Sequence, residues 1–317
     1  MFAMYNLLVH GRSKKFVSRL LHFLFTSKPY SYASNIAVGV MVCEFAGRGI
    51  HSSNIVNVAI VSILMWFFLN WYSDSIQKDS GRFVPSKLLI WSPFIVTFVM
   101  SAHQNVVAVL FLLIHGAIIM LYPLKATHHI VAPFGPLIRG MTIFTQVFFI
   151  LAFIGELSSI TYDFILVVLA ISLLHVGRNL IGDIRDILQD RYEIPARFGF
   201  AVSLWTVRIV MTVVSCLVFF VPKGMISIGL PVAIQWISFE MLVVFISKGN
   251  ENIIGYLGHR LFILTLTSAC ILAGFFFGLS GKICIILTAL MLLLQPTYTY
   301  LPGKQFPTLQ EIKLSLK

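Results

Sequence analysis

Acidic residues are scarce in this 317-residue chain, and half of them lie in two short stretches. The whole chain has only 12 Asp and Glu residues. Six of them fall in NWYSDSIQKD, residues 70–79, and GDIRDILQDRYE, residues 182–193. Carboxylate and amide oxygens are the ligands that hard cations such as Mg²⁺, Mn²⁺ and Ca²⁺ prefer. The concentration therefore indicates a functional site that binds a divalent cation.

The second stretch has helical spacing. On an ideal helix, four oxygen-bearing side chains fall within about 60° of one another: Asn179, Asp183, Asp186 and Asp190. Three like charges on one face repel each other, so a bound divalent cation would stabilise the arrangement. The alternative interpretation is a solvated acidic helix end that pairs with neighbouring arginines. Its candidate partners are Arg178, Arg185 and Arg191.

The first stretch is less regular. Asn70 and Asp74 are one helical turn apart, whereas Asp79 lies about 140° further around an ideal helix. Asp79 therefore joins the same site only if the helix unwinds after Asp74. The spacing of Asn and Asp four residues apart recurs at Asn179 and Asp183, 109 residues later. This recurrence suggests two related helical halves.

The elements that position these residues must be membrane-spanning helices. The chain is 58% apolar and only 11% charged, which is too little polar surface for a water-soluble domain of this size. High hydrophobicity excludes disorder, and four cysteines are too few for a disulfide scaffold. Ten segments approach the roughly 20 apolar residues that a span requires: 31–51, 54–73, 88–102, 105–122, 138–156, 161–180, 199–221, 225–247, 261–279 and 283–300.

The fold class that follows is an all-α, polytopic bundle of nine or ten transmembrane helices. The third segment is short. The last has a short apolar run before Gln295 and Pro296, so a helix that lies in the membrane interface is the alternative there. The segments are continuous enough to predict one membrane domain, residues 29–303, between a basic arm, 1–28, and a cytoplasmic tail, 304–317. The arm is expected to lie on anionic lipid.

Positive charge is distributed unevenly across the predicted membrane. With the amino terminus in the cytoplasm, 20 of the 23 Lys and Arg residues fall on the cytoplasmic side. Both aspartate stretches lie on that side. The net charge of +11 is thus explained by membrane topology, and we expect no nucleic-acid partner.

The two aspartate motifs together resemble those of the UbiA superfamily of intramembrane prenyltransferases. NWYSD followed by KDSGRFVPS comes after the second span, and GDIRDILQD comes after the sixth. Further matches are Lys28-Pro29, Arg82 with Pro85-Ser86, and Tyr122-Pro123-Leu124-Lys125. The likeness covers roughly residues 28–250. Two departures are Asn70-Trp71, where the family has Asn-Asp, and EIPARFG, residues 193–199, where it has a Gly and a Thr-Leu-Pro segment.

The resemblance implies a helical bundle around a central cavity that is open to lipid. In such a cavity, Mg²⁺ ions bind the diphosphate of an isoprenoid donor, and an acceptor takes the prenyl group. The expected metal ligands are Asn70, Asp74, Asp79, Asn179, Asp183, Asp186 and Asp190. Of these, the expected catalytic residues are Asp74, Asp183 and Asp186. The expected diphosphate-binding residues are Arg82, Lys125 and Arg178.

We therefore expect an integral membrane, Mg²⁺-dependent prenyltransferase whose active site faces the cytoplasm. Its partners would be an isoprenoid diphosphate donor, membrane lipids and an aromatic, quinone-precursor or polar-lipid acceptor. The main alternative is a UbiA-type terpene cyclase, which uses the same metal-diphosphate core without an acceptor.

A second alternative is a membrane transporter, because polar residues within the spans can mark an ion pathway. Such residues are Glu44, His115, Glu156, Asp163, Arg208 and Glu240, of which Arg208 and Glu240 could instead pair with each other. Three further histidines are either acceptor contacts or ordinary loop and interface residues: His128, His129 and His175.

Overall fold

The computed structural model describes residues 28–46, 52–77, 86–186, 194–221, 225–246, 248–300 and 307–316. Within these ranges the chain is helical, apart from an isolated antiparallel bridge between Ile246 and Leu316. The α-helices are α1 (Tyr32–Phe45), α2 (Ser52–Gln77), α3 (Lys87–Gln104), α4 (Val106–Leu121), α5 (Gly135–Ile154), α6 (Tyr162–Arg185), α7 (Ile194–Phe198), α8 (Phe200–Phe219), α9 (Leu230–Phe245), α10 (Glu251–Phe276), α11 (Gly281–Leu294) and α12 (Leu309–Ser315). The predicted all-α class is confirmed.

Each of the ten predicted segments contains one long helix. In the described part of the chain, eight helices are long and apolar enough to cross a membrane. The other two long helices are α1, which has 14 residues, and α3, which is less apolar. The ninth segment, predicted to begin at residue 261, instead begins at Glu251 in the structure. Its first ten residues include polar side chains that lower the mean hydropathy, yet much of this helical start is buried against other helices.

Helix α6 occupies the centre of the bundle. It packs against α5, α8 and α10, and it is the most buried of the eight apolar helices. The Thr161 side chain caps its amino end by accepting a hydrogen bond from the backbone N–H of Phe164. Helix α6 ends at Arg185, and Asp186 follows as its C-cap. The central helix therefore delivers the second aspartate motif to one end of the bundle.

A glycine brings two helices together at that end. A Cβ atom at Gly255 of α10 would overlap the backbone N and Cα of Arg185, the last residue of α6. Any larger residue at position 255 would push α10 away from the end of α6. Gly255 thus fixes the position of the second aspartate motif relative to α10.

The opposite end of the bundle is held by a different contact. The Asn105 side chain caps α4 by accepting from the N–H of Ala108, and its Nδ2 atom donates to the carbonyl oxygen of Ala152 near the end of α5. Asn105 thereby ties the α3–α4 turn to the last turn of α5. The turn between α4 and α5 lies at the other end, beside the aspartate motifs.

Candidate active site

The first aspartate motif is buried on the last turns of α2. Asn70 and Asp74 are only 3% and 2% exposed. The Asn70 Nδ2 atom donates to the carbonyl oxygen of Trp66, 2.8 Å away and one turn earlier. Helix α2 continues to Gln77 and does not unwind directly after Asp74. Asp79 and Arg82 lie outside the described residues.

A 3₁₀ turn, Tyr122–Ala126, connects the first motif to the second; we name it the Lys125 turn. It packs against α2, and its Lys125 Nζ atom lies 3.1 Å from Asp183 Oδ1 on α6. The Tyr122 hydroxyl donates to Asn179 Oδ1 at 2.9 Å, and Asn179 Nδ2 lies 3.4 Å from Asp183 Oδ1. Lys125 and Asp183 are both almost fully buried, so this ion pair fixes the turn on the second motif.

Glycine at the start of α5 accommodates the lysine. A Cβ atom at Gly135 would lie 2.6 Å from Lys125 Cδ. The lysine chain therefore lies across the first residue of α5 and reaches Asp183 from there. Lys125 was expected to bind the diphosphate; that role stays a prediction, and the structure pairs the lysine with Asp183.

Two buried arginines face one tryptophan beside the motifs. The guanidinium carbons of Arg139 and Arg178 lie 4.7 and 5.8 Å from the centre of the Trp66 ring, and Arg139 also lies 5.2 Å from that of Tyr122. Each arginine is 6% exposed. Arg178 Nη2 donates to the Ser31 hydroxyl at 2.8 Å.

Each of these two arginines has a guanidinium nitrogen without a hydrogen-bond partner among the described residues. The Nη1 atom of each makes no hydrogen bond with any described residue, and neither arginine forms a salt bridge there. A buried guanidinium group without an anion is costly, because it has lost its hydration without gaining a counter-charge. Arg139 and Arg178, which we name the arginine pair, are therefore suited to binding an anion.

The end of the second motif belongs to a separate cluster. Arg185 holds both carboxylate oxygens of Asp186, at 2.8 and 2.6 Å. Arg185 also donates to the Tyr298 hydroxyl at 3.3 Å, and His259 Nδ1 lies 2.9 Å from that hydroxyl. The Tyr30 ring packs edge-to-face against the Tyr298 ring. Burial raises the pKa of the Tyr30 phenol, so this phenol is uncharged at neutral pH. We name these residues the Arg185 cluster.

The predicted stripe of four oxygen ligands is shorter in the structure. Because α6 ends at Arg185, only Asn179 and Asp183 lie on the helix itself. Asp186 is paired with Arg185, as the alternative interpretation of an acidic helix end proposed, whereas Arg178 contacts Ser31. Asp190 and Arg191 lie outside the described residues.

The oxygen-bearing side chains of the two motifs are of the kind that Mg²⁺ binds. Among the described residues, no three His, Cys, Asp or Glu side chains are grouped as a metal cluster. Mg²⁺ commonly binds through one or two carboxylates, keeps several waters and takes its other ligands from substrate phosphates. The buried carboxylates of Asp74 and Asp183, with the amides of Asn70 and Asn179, are the residues that would hold such an ion.

Arg139 was not among the expected site residues, although it lies at the start of the predicted segment 138–156. The structure buries it within α5. A charged residue next to a long apolar stretch was the signal that could have identified it. His259 and Tyr298, distant in sequence from both motifs, have no pattern that links them to Asp186.

The remaining polar residues divide between pairs and loops. Arg208 and Glu240 form the expected bidentate pair, at 2.8 and 2.6 Å. His128 and His129 are exposed in the loop that follows the Lys125 turn. His175 is buried on α6, and neither ring nitrogen has a hydrogen-bond partner among the described residues.

No protein-family model and no curated protein matches this sequence. Solved structures do resemble it. A digeranylgeranylglyceryl phosphate synthase is 16% identical with a TM-score of 0.58, and the match covers 82% of this chain and 99% of the synthase. A UbiA homologue from Aeropyrum pernix K1 is 19% identical with a TM-score of 0.55, covering 80% and 95% of the two chains. The chain has the UbiA fold.

The UbiA fold confirms the architecture that the two motifs suggested. Together with the eight long apolar helices, it makes this chain an integral membrane protein. In this UbiA bundle, Asp74, Asp183, Lys125 and the arginine pair lie on elements that meet at one end.

Proposed function

We propose that this protein transfers a prenyl group from an isoprenoid diphosphate to an acceptor within the membrane. The observation that carries the proposal is the arginine pair, two buried cations without an anionic partner among the described residues, at the end of the bundle that also holds the buried carboxylates Asp74 and Asp183. A diphosphate with bound Mg²⁺ carries both charges that this arrangement requires. The likeness in fold to a digeranylgeranylglyceryl phosphate synthase supports an isoprenoid substrate.

The residues have distinct roles in this proposal. Asp74 and Asp183 would hold the Mg²⁺ ions, with Asn70 and Asn179 beside them. When bound, Mg²⁺ would stabilise the charge that develops on the diphosphate leaving group. Arg139 and Arg178 bind the diphosphate oxygens from the other side, and Lys125 orients Asp183 through their 3.1 Å contact.

The reaction breaks the allylic carbon–oxygen bond of the donor. The electron pair of that bond leaves with the diphosphate, and the acceptor forms a new bond to the allylic carbon and loses a proton. The allylic cation that remains needs aromatic ring faces other than those of Trp66 and Tyr122, which already face the Arg139 guanidinium. The apolar bundle excludes water, which would otherwise capture that cation.

Product analysis tests the proposed function. Protein in lipid nanodiscs is incubated with geranylgeranyl diphosphate and Mg²⁺, with or without a panel of phenolic, quinone-precursor and polar-lipid acceptors. We expect slow diphosphate release from donor alone and faster release, with a prenylated product, in the presence of an acceptor. Fast release from donor alone with a cyclised hydrocarbon product would identify a terpene cyclase. Intact donor under every condition would contradict enzymatic activity.

Arginine variants supply the matched controls. Arg139→Gln and Arg178→Gln remove buried cations and should weaken donor binding. Arg197→Gln removes an exposed guanidinium that donates to a loop carbonyl at 3.3 Å and lies over the Phe198 ring, and it should leave donor binding unchanged.

A further inference from the structure

An ion pair lies on the outer surface of the bundle and shares no residue with the candidate active site. Arg208 of α8 holds both carboxylate oxygens of Glu240 of α9, and the two side chains are 28% and 30% exposed. Exposed apolar side chains surround the pair, among them Val202 and Ile209 on α8 and Met241 on α9. An apolar surface of this kind faces the acyl chains of the membrane, so the ion pair faces lipid as well.

The pair lies within the spans, below the end of the bundle that carries the aspartate motifs. Helix α8 starts at that end because it follows α6, and α9 finishes there because it leads to the start of α10. Arg208 is eight residues from the start of α8, and Glu240 is five residues from the end of α9. At 1.5 Å per residue, these positions are about 12 and 8 Å from the helix ends. A charged group that faces lipid at this depth is costly and indicates a functional site.

Three polar groups at the pair have hydrogen-bonding capacity left. Arg208 uses Nε and Nη2 for Glu240, whereas its Nη1 atom makes no hydrogen bond with any described residue. The guanidinium lies 5.1 Å from the centre of the Trp205 ring, and the exposed indole N–H of Trp205 has no acceptor within the described ranges. Glu240 Oε1 accepts from Arg208 and from Trp236, but Oε2 accepts from Arg208 alone in this part of the chain. Two donors and one acceptor therefore need a polar partner that a membrane can supply.

An apolar groove of about 590 Å³ runs past the pair along α9. Six residues line it: Trp236, Ile237, Glu240, Met241, Val244 and Phe245. Glu240 is the one charged residue among these six. The groove extends about one turn to either side of Glu240, so an apolar chain can lie in it while a polar group on that chain reaches the ion pair.

We propose that the Arg208–Glu240 pair and this groove bind a phospholipid whose headgroup carries a primary ammonium group, as in phosphatidylethanolamine. The phosphate oxygens accept hydrogen bonds from Arg208 Nη1 and from the Trp205 indole, and the ammonium group donates to Glu240 Oε2. The groove takes the apolar part of the lipid. This site goes beyond the proposed function and does not depend on it.

Charge and hydrogen bonding favour this headgroup over two common alternatives. The ion pair is neutral overall, so it offers no net attraction to a lipid with a net negative charge, such as phosphatidylglycerol. Phosphatidylcholine has the same phosphate, but its quaternary ammonium group has no N–H to donate to Glu240. The primary ammonium headgroup supplies both the acceptor and the donor that the site requires.

Competitive lipid binding tests the proposal. The full chain is delipidated in detergent and mixed with equal amounts of dioleoyl phosphatidylethanolamine, phosphatidylcholine and phosphatidylglycerol, which differ only in the headgroup. Native mass spectrometry measures how much protein carries each lipid. We expect the first phosphatidylethanolamine to bind about tenfold more tightly than either other lipid, as for one hydrogen bond to a charged group. Equal binding of the three lipids would overturn the proposal.

Variants of the pair assign that preference to this surface. Glu240→Gln keeps the side-chain volume and leaves Arg208 without a counter-charge, so the preference should shift to phosphatidylglycerol. The double variant Arg208→Met/Glu240→Met removes both charges and should bind the three lipids equally. Lys282→Gln removes an exposed cation at the start of α11, at the opposite end of the bundle, and should retain the original preference. An unchanged preference for phosphatidylethanolamine in Glu240→Gln would overturn the proposal.

The competing occupant of this surface is a second copy of the chain. A dimer of the delipidated protein that the double variant abolishes would assign the pair to an interface between copies and overturn the lipid site. Because these measurements contain no prenyl diphosphate, their outcome is independent of whether the protein transfers a prenyl group.

Discussion

At the scale of single residues, the site consists of charges that the fold buries at a cost. Arg139 and Arg178 have lost their hydration, and cation–π contacts with Trp66 compensate only part of it. Residues retained for substrate binding in this way commonly lower the stability of the free protein. The bound substrate would supply the missing counter-charge.

Replacing a buried arginine by an apolar residue should lower activity without lowering the thermal stability of the protein. Arg139→Leu is expected to lower the rate of diphosphate release by about 10²-fold or more, because an electrostatic contact to the leaving group is lost. The melting temperature without donor should stay the same or rise. Thermal denaturation and a release assay on the same preparation measure both quantities. A melting temperature that falls steeply would show that Arg139 stabilises the bundle instead.

The two aspartates of the second motif should respond differently. Asp183 faces Lys125 and Asn179, whereas both oxygens of Asp186 are held by Arg185. Asp183→Asn should therefore lower activity by about 10²-fold or more and raise the Mg²⁺ concentration needed for half-maximal rate, with a smaller effect for Asp186→Asn. Asp163→Asn, exposed at the opposite end of α6, is the control and should behave like the unmodified protein. Equal losses in both motif variants would place Asp186 among the metal ligands.

At the scale of helices, the position of the second motif depends on how closely α10 approaches α6. Gly255→Ala should destabilise the protein by roughly 1–3 kcal/mol, because the new methyl group overlaps the backbone of Arg185. Gly281→Ala is the matched control, since a Cβ atom there meets open space at the start of α11. Melting temperatures and Mg²⁺ titrations of both variants measure the effect. Unchanged stability and Mg²⁺ dependence in Gly255→Ala would contradict the proposed close approach.

Helical periodicity and hydropathy predicted the elements well and the contacts poorly. Every predicted segment contains a helix, because a membrane span needs a long apolar run, which can be recognised in the sequence. The start of α10 was missed, because His259 and other polar residues there are buried by packing and not by apolar composition. The pairing of Asp186 with Arg185 was open to prediction as one of two alternatives. The contact of Arg185 with Tyr298 depends on tertiary packing between distant segments, which no local pattern records.

At the scale of the whole molecule, the charge distribution predicts that the active site faces the cytoplasm. His129 is exposed at the site end, in the loop between α4 and α5, and Ser158 is exposed in the loop between α5 and α6 at the opposite end. In a background with Cys216 and Cys284 replaced by Ser, His129→Cys should react with a membrane-impermeant maleimide only from the cytoplasmic side. Ser158→Cys should react only from the other side. Reversed labelling would contradict the proposed orientation.

Sequence identities of 16% and 19% to proteins of the same fold show how little of the chain the architecture constrains. The two aspartate motifs sufficed to suggest that architecture because their order and their placement at helix ends are unusual together.

The most direct test of the central claim is an electron cryo-microscopy map of the protein in nanodiscs with Mg²⁺ and geranylgeranyl thiolodiphosphate, a donor analogue whose carbon–sulfur bond resists cleavage. We predict density for the diphosphate between the arginine pair and the carboxylates of Asp74 and Asp183, with the prenyl chain extending into the bundle. Density for the diphosphate at any other place, or an arginine pair without a bound anion at saturating analogue, would contradict the account.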